Sequence, residues 1–388
     1  MGTGNMIGAR LTTSGHSPNS KVDTGRSEEV RSRKRILHVY PAAMEHHLAT
    51  MMGNTNVVFS HFENQTVLVA PAVRDAKGSK LAQSLSLSLL SPVSTLLLIV
   101  RRRSDFVVFH SGFWPKFWFV ASAATLVGAR PIWICWGGEL QSSGGLKGRI
   151  NAGLKTWTIP RFFRSVFLAA SDQARADKLC GRKVESVVVP YYNPSYLRRS
   201  NLSSRRAFDS SMVRVQIGND ASAVNDHLAC LAELSRVRKL AFTVVYPLGY
   251  GRFDAQYIEH LKTTSQRSLA VQCEFIDHLL PPVQFDMLID SCDALLLASR
   301  EQRGLYSIYR YLAAGKPVFL PKDANLRRDL QDLGFQVEAL ESLGTMDASM
   351  FSDLCTRKCE ANVRVARECL GMEAIRRTWA KVILAAGS

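Results

Sequence analysis

The chain has 388 residues, 46% of them hydrophobic, and a formal net charge of +16 at pH 7. That length accommodates two domains, and the apolar fraction is that of an ordinary globular core, which excludes a disordered or fibrous chain. The charge calls for an anionic partner. The basic residues are spread along the chain and never alternate with aromatics in one block, which argues against nucleic acid and leaves phosphorylated substrates or an acidic membrane surface.

Residues 1–33 are polar, rich in Gly, Ser, Thr and Arg, and lack an apolar h-region. They read as a disordered tail, or as the product of an upstream start codon, and not as a secretory signal. From Arg35 onward, short β-branched or aromatic runs alternate with helix-period segments. The spacing predicts strands at 36–40, 66–70, 106–110, 132–136, 166–170 and 187–190. Helices are predicted at about 42–54, 80–100, 114–127, 146–160 and 171–180. The segment 80–100 contains serines and Pro92, which argues against a spanning helix. Arg101-Arg102-Arg103 follow it. A buried helix with cations at its carboxyl end is the first reading, and an apolar helix resting on an anionic bilayer is the second.

Asn193-Pro194, Arg198-Arg199 and a run of serines then break the rhythm. The expected boundaries are a first domain at 34–195, a linker at 196–211 and a second domain at 212–360. A terminal helical segment at 361–388 is expected to pack back toward the first domain. The second series predicts strands at 213–217, 241–246, 269–275, 294–298 and 318–320. Its predicted helices are 223–238, 254–266, 282–292 and 305–314, followed by a helical stretch at 349–386 with Trp379 and Ile383 on one stripe. This order implies two tandem doubly wound, Rossmann-like α/β domains with a ligand cleft between them.

Eight cysteines are present and none forms C-x-x-C, which fits a reduced, cytosolic chain with structural thiols. Cys355 and Cys359 have no ligand-spaced histidine beside them, so no metal site is assigned. Neither G-x-G-x-x-G nor G-x-x-x-x-G-K-[ST] occurs, which removes the fingerprint of a dinucleotide enzyme, and no cofactor is predicted.

Polar residues gather where strands are predicted to end, the place where open α/β sheets bind ligands. In the first half these are His46 and His47, then His110-Ser111-Gly112, then Trp136-Gly137-Gly138-Glu139. In the second half they are Gly218-Asn219, Asn225 and His227, Gly249-Tyr250, Asp277-His278 and the loop from Arg300 through Gln302 to Gly304. That loop joins an apolar strand to the helix that begins at Leu305, and Gly315 and Pro317 supply the helix stop. Such a crevice fits group transfer from a nucleoside-diphosphate donor. Arg300 and the helix start at 304–307, including Ser307, can neutralise a leaving diphosphate. Glu139 or His110 can take the proton from an acceptor hydroxyl, and Trp136 can offer a flat face to a sugar ring.

The same residues carry a family resemblance. From about Ile36 the chain resembles the bacterial TDP-Fuc4NAc:lipid II Fuc4NAc transferases of enterobacterial common antigen synthesis. The matching pieces are His38-Val39 with His46-His47, Phe109-His110 with Phe113, and Trp136-Gly137 with an acidic residue at 139. Gly218-Asn219 with Asn225 and His227, Pro247-x-Gly249-Tyr250, Gln302-x-Gly304, Ala314-Gly315-x-Pro317 and Trp379 complete the set. The resemblance implies a GT-B glycosyltransferase whose second domain binds a dTDP-linked deoxyamino sugar. The acceptor implied is a lipid-diphosphate-linked saccharide, met by the first domain at His46, His47, Trp136 and Gly137. It also implies a peripheral protein on the cytoplasmic face of the inner membrane. Six positions depart from the family pattern: Glu139 stands for Asp, Arg303 for the second of two Gln, Tyr306 for Gly, and Asp220-Ala221-Ser222 for Ser, Gly and Asp. The glutamate pair of many retaining GT-B enzymes falls, counted from Gly315, on Gln302 and Arg310. Other GT-B enzymes of lipopolysaccharide or capsule assembly and nucleotide-sugar 2-epimerases share the two-domain form. A two-lobed solute-binding protein would need an export signal, and a nucleic-acid binder would need one basic face.

Overall fold

The computed structural model describes residues 35–41, 55, 58–59, 63–69, 88–102, 104–112, 115–140, 145–190, 193, 197, 212–237, 240–251, 253–268, 272–300 and 302–384. The expected tail at 1–33, the expected helix at 42–54 with His46 and His47, and all of the expected linker except 197 lie outside these residues.

The first lobe is built on seven strands: β1 Arg35–Pro41, β2 Glu63–Val69, β3 Ser88–Leu90, β4 Phe106–His110, β5 Pro131–Cys135, β6 Arg164–Phe167 and β7 Ser186–Val188. All pair in parallel, in the order β3-β2-β1-β4-β5-β6-β7. A parallel sheet covered on both faces needs strands that are apolar on both sides, and β4 and β5 are buried at every residue. Helices α1 Pro92–Arg102, α2 Pro115–Leu126, α3 Gly145–Thr158 and α4 Ala170–Cys180 connect the strands.

The second lobe repeats the plan with β8 Met212–Ile217, β9 Ala241–Pro247, β10 Gln272–Ile276, β11 Ala294–Leu296, β12 Val318–Leu320 and β13 Glu338–Ala339. These too pair in parallel, ordered β10-β9-β8-β11-β12-β13. Its helices are α5 His227–Leu234, α6 Ala255–Ser268, α7 Pro282–Ser291, α8 Leu305–Ala313, α9 Asn325–Asp332, α10 Ala348–Thr356, α11 Glu360–Leu370 and α12 Met372–Leu384. The strand order reverses once in each lobe, between β1 and β4 and between β8 and β11. At such a switch point the crossovers leave in opposite directions and open a crevice at the carboxyl ends of the strands.

Three of the expected elements differ from the sequence expectation, each for a local reason, and α9 and β13 fall where no element was expected. The stretch read as a helix over 80–100 contains β3, and its helix begins only at Pro92. Ser84-Leu-Ser-Leu-Ser-Leu89 has a period of two, and Ser91 accepts from the Ser94 amide at 3.1 Å, capping α1 with Pro92 in its first turn. The helix expected at 223–238 is interrupted at Asp226, whose φ of +45° ends a 3-10 turn while its carboxylate caps α5. The stretch expected as one helix at 349–386 is three helices. The first break is held by the Cys359 amide donating to the Gly315 carbonyl at 2.9 Å.

Gly315 closes α8 as expected: its φ is +73°, and the next amide, Lys316, reaches back to the Tyr311 carbonyl at 2.9 Å. The Lys316 ammonium then donates to the carbonyls of Ile289, Asp290 and Cys292, closing the end of α7. Beyond α11 the chain returns to the first lobe. Ile375, Trp379, Val382 and Ile383 of α12 share a core with Ile36, Val58, Phe59 and Phe106, and Trp379 meets Phe59 edge-on at 5.1 Å. Trp379→Ala is expected to lower the unfolding free energy by about 3–5 kcal/mol, the cost of a large cavity. Urea denaturation followed by far-UV circular dichroism measures it, and a loss below about 1 kcal/mol would show that α12 adds little to this core.

Candidate active site

The end of β8 is fixed from beneath. Gln216 is fully buried, donates to the Gly218 carbonyl at 2.9 Å and accepts from the Tyr311 hydroxyl at 3.1 Å, tying the strand end to α8. The chain then turns at Gly218, φ +76°, where a Cβ would lie 2.3 Å from Nε2 of His227. The imidazole therefore occupies the space a side chain at 218 would fill. His227 is buried, its Nδ1 lies 2.8 Å from the Tyr257 hydroxyl, and its Nε2 has no hydrogen-bond partner among the described residues. Burial lowers its pKa to about 4, opposed by the backbone at Asp220, so the ring is neutral at pH 7.

Asp220 is the hub of this loop, and the sequence reading noted it only as a departure. Its carboxylate accepts from the Ser222 amide at 2.7 Å, from Asn225 Nδ2 at 2.6 Å and from Asn219 Nδ2 at 3.3 Å. Arg303 Nη1 approaches it at 3.9 Å from the facing loop. Burial raises the pKa of Asp220 while these donors oppose the shift. The Asp-x-Ser pattern is the signature of a side-chain turn and was the available signal. A Cβ on Gly304 would lie 3.1 Å from Asn219, so the loops after β8 and β11 touch across the switch point. Tyr250 joins them by accepting the Ala221 amide at 2.7 Å through its carbonyl, and Gly249 is so close to the His278 carbonyl that a Cβ would sit 1.8 Å from it.

The two cations of the β11–α8 loop are placed differently. The Arg300 side chain is 76% exposed and pairs with Asp323 at 3.1 Å. The Arg303 side chain is 27% exposed, and its Nε is buried without a partner among the described residues. Ser307 is buried in the first turn of α8.

The first lobe meets this loop at Gly137, φ +86°. A Cβ there would lie 2.6 Å from Gln302 Oε1 and 2.6 Å from Asp172 Oδ2, so neither lobe leaves room for a side chain. A second bridge lies nearby, where the amide and hydroxyl of Ser171 donate to Asp329 at 3.1 and 2.5 Å. Glu139 stands two residues beyond Gly137 in a 3-10 turn, and Trp136, half-buried, donates its amide to Glu139 Oε1 at 2.8 Å. Oε2 is buried and has no hydrogen-bond partner among the described residues. Lys155 of α3 grips the Glu139 carbonyl oxygen, not the carboxylate. Burial pushes the Glu139 pKa up to about 7, with Asp172 adding to the rise and the Trp136 amide and Lys155 opposing it. A carboxyl that titrates near neutrality with one oxygen unused is equipped for proton transfer.

His110, the other candidate base, is packed differently. It stacks on Tyr40 with ring centroids 3.8 Å apart, and its Nε2 lies 3.1 Å from His38 Nδ1. Burial, with His38 beside it, holds its pKa well below the ordinary value, so it is neutral at pH 7. Gly218, Asn219, Asn225, His227, Tyr250, Gln302, Gly304, Trp136, Gly137 and Glu139 thus line one seam. Arg300 stands at its exposed margin.

Two doubly wound lobes have the GT-B architecture of glycosyltransferases, and partnerless polar atoms of Asn219, Asn225, His227, Gln302 and Glu139 gather at their seam. The chain belongs to the 4-alpha-L-fucosyltransferase family, glycosyltransferase group 56, whose family model spans residues 34–353. Solved structures share the fold at low identity. Anabaena Alr3699/HepE in complex with UDP and glucose is 12% identical, covers 91% of this chain and 100% of its own, and superposes with a TM-score of 0.64. A glycosyltransferase from Rickettsia africae is 14% identical, with 92% and 99% covered and a TM-score of 0.65. The UDP-forming α,α-trehalose-phosphate synthase of Burkholderia vietnamiensis is 10% identical, with 91% and 100% covered and a TM-score of 0.56.

Glu139→Gln tests the carboxyl in two ways. Turnover is expected to fall by about 100-fold or more, the usual yield of a general base. The variant should also become more stable relative to wild type as pH rises from the ordinary carboxylate range to about 7, then hold that margin. The sign follows because the folded state keeps a proton on Glu139 that the unfolded chain has released, so rising pH penalises only the wild-type fold. Melting temperatures of both proteins at acid and alkaline pH measure this, and a pH-independent difference would mean that Glu139 is not titrating near neutrality.

Proposed function

We propose that the chain transfers a deoxyamino sugar of the Fuc4NAc type from a dTDP-linked donor to a lipid-diphosphate-linked saccharide. The work would be done at the anionic cytoplasmic face of the inner membrane. The observation that carries the reading is the seam at Gly137, a residue without a side chain that Gln302 of the second lobe approaches closely and that lies two residues before the buried carboxyl of Glu139. Family membership supports sugar transfer, and UDP in the HepE complex supports a nucleoside-diphosphate donor.

In this reading the acceptor hydroxyl lies against Glu139 Oε2. Its oxygen forms the new bond to the anomeric carbon, the bond from that carbon to the diphosphate oxygen breaks, and the hydroxyl proton passes to Glu139. The electron pair leaves on the diphosphate. Arg303 turns from Asp220 to meet that charge, with Arg300 at the margin and the backbone at Gly304 and Ser307 completing the cradle. Neutral His227, packed under Gly218, holds the loop close enough for the backbone at 218 and 219 to approach the nucleotide. His110 would keep the strand end beside the acceptor in place, and His46 and His47 would contact the acceptor saccharide along with Trp136 and Gly137.

A thermal-shift comparison of dTDP, UDP and GDP tests the donor, since a ligand that binds only the folded state raises the melting temperature by mass action. The largest rise is expected with dTDP, and a larger rise with UDP or GDP would overturn that choice of base. The same assay separates the two cations. Arg303→Ala is expected to weaken dTDP binding by about tenfold or more, the worth of a charge-assisted contact. Arg300→Ala should weaken it less, because its charge is shared with Asp323 and open to solvent. Equal losses would place both cations on the diphosphate.

A further inference from the structure

The outer face of the first lobe carries apolar surface that the fold does not use. The crossovers β3–α1–β4, β4–α2–β5 and β5–α3–β6 all step across the sheet in the same direction. Right-handed connections therefore put α1, α2 and α3 on one face, where α1 packs against α2 and α2 against α3. Val93, Leu97 and Val100 recur along α1 at helical spacing and are all exposed. The sequence of α2 is apolar around its whole circumference. Phe117, Trp118 and Val120 fill the core, yet Phe119 is 59% and Leu126 74% exposed. On α3, Leu146 and Ile150 face outward while Lys155, on the inner side, holds the Glu139 carbonyl.

The charge on these three helices has one sign. The three helices contain two Lys or Arg in α1, one in α2 and three in α3, and no Asp or Glu. Arg101, Lys116 and Arg149 are exposed among the apolar side chains. A second exposed apolar pair, Val283 and Met287 on α7, lies on a helix with two Asp and no cation. Among the described residues no helix is long and apolar enough to cross a membrane.

We infer that the face formed by α1, α2 and α3 docks on an anionic lipid bilayer, its apolar side chains entering the headgroup boundary and its cations meeting the lipid phosphates. This rests on the proposed lipid-linked acceptor for its purpose, and α3 would then carry the membrane surface to within one helix of Glu139.

The test is flotation of the full chain with vesicles of phosphatidylglycerol and phosphatidylethanolamine, against vesicles of phosphatidylcholine alone. Wild type should float with the anionic vesicles, less so at high salt, and poorly with phosphatidylcholine. L97E/F119E is expected to lose about tenfold or more of that binding, because each site puts a charge where an exposed apolar group would enter the lipid. R101E/R149E should lose the preference for anionic lipid, and it serves also if the first variant fails to fold. M287E should float as wild type does. Docking at this face is overturned if L97E/F119E and R101E/R149E float like wild type, if M287E loses as much, or if wild type binds no vesicle at low salt. It is overturned too if the substitutions only dissociate a dimer in sedimentation, since the occupant would then be a second copy. Transfer to a water-soluble, short-chain acceptor analogue separates this from the transferase reading. Retained transfer with vesicle binding that ignores the face defeats the docking alone, and absent transfer with vesicle binding that follows the face defeats the transferase reading alone.

Discussion

The constraint on which the site depends is the absence of a side chain at Gly137. The residue has a positive φ, and both neighbours of its missing Cβ, Asp172 from α4 and Gln302 from the second lobe, lie inside contact distance. A methyl group there would strain the backbone and force the lobes apart at the point where the first lobe meets the loop at Gln302. The same device recurs within the second lobe, where Gly218 makes room for His227 and Gly304 for Asn219. Three glycines with positive φ thus set how closely the pieces of the cleft approach one another, and the polar groups can be few because the backbone brings them near.

Close approach also explains the electrostatics. Glu139 and His227 are both buried, and burial chiefly raises the Glu139 pKa to about 7 and keeps His227 neutral. Lys155 opposes the rise at Glu139 through its charge, while its hydrogen bond goes to the Glu139 backbone carbonyl. Burial outweighs that charge, and the carboxyl is left the stronger base for it.

Much of the fold was legible because doubly wound sheets write themselves as apolar runs alternating with helix-period segments, and eleven of the strands lie at or beside their predicted positions. What escaped was short or edge structure. β13 is two residues long, and β3 hid inside a leucine-rich stretch whose serines set a period of two. Positions at strand ends were legible for the same reason, since topology alone sends them to the cleft. Partnerships across the cleft were not. Nothing in the order of residues couples Asp220 to Arg303, or Gly137 to Gln302, because each pair is joined only when the two ends of distant elements meet.

The departures from the family pattern are where structure adds most to sequence. Tyr306, one of those departures, and Arg310, which falls where many retaining GT-B enzymes carry a glutamate, stand one turn apart on α8, and both turn to the same helix. Tyr306 donates to Asp286, and Arg310, buried, pairs with Asp290 at 2.7 Å and approaches Asp286 at 3.8 Å. A buried guanidinium is tolerated only when its charge is matched, so Tyr306, Arg310, Asp286 and Asp290 form one unit that binds α7 to α8. In the retaining enzymes with a glutamate pair, the position of Arg310 carries an acid. Here that position serves the packing of α8, and the acid of the cleft comes from the opposite lobe, at Glu139. This chain therefore need not be read as a glutamate-pair enzyme that has lost its residues. Its helix α8 is anchored from behind by an ion cluster, which leaves the loop ahead of it, from Arg300 to Gly304, to present Gln302 and Arg303 to the seam.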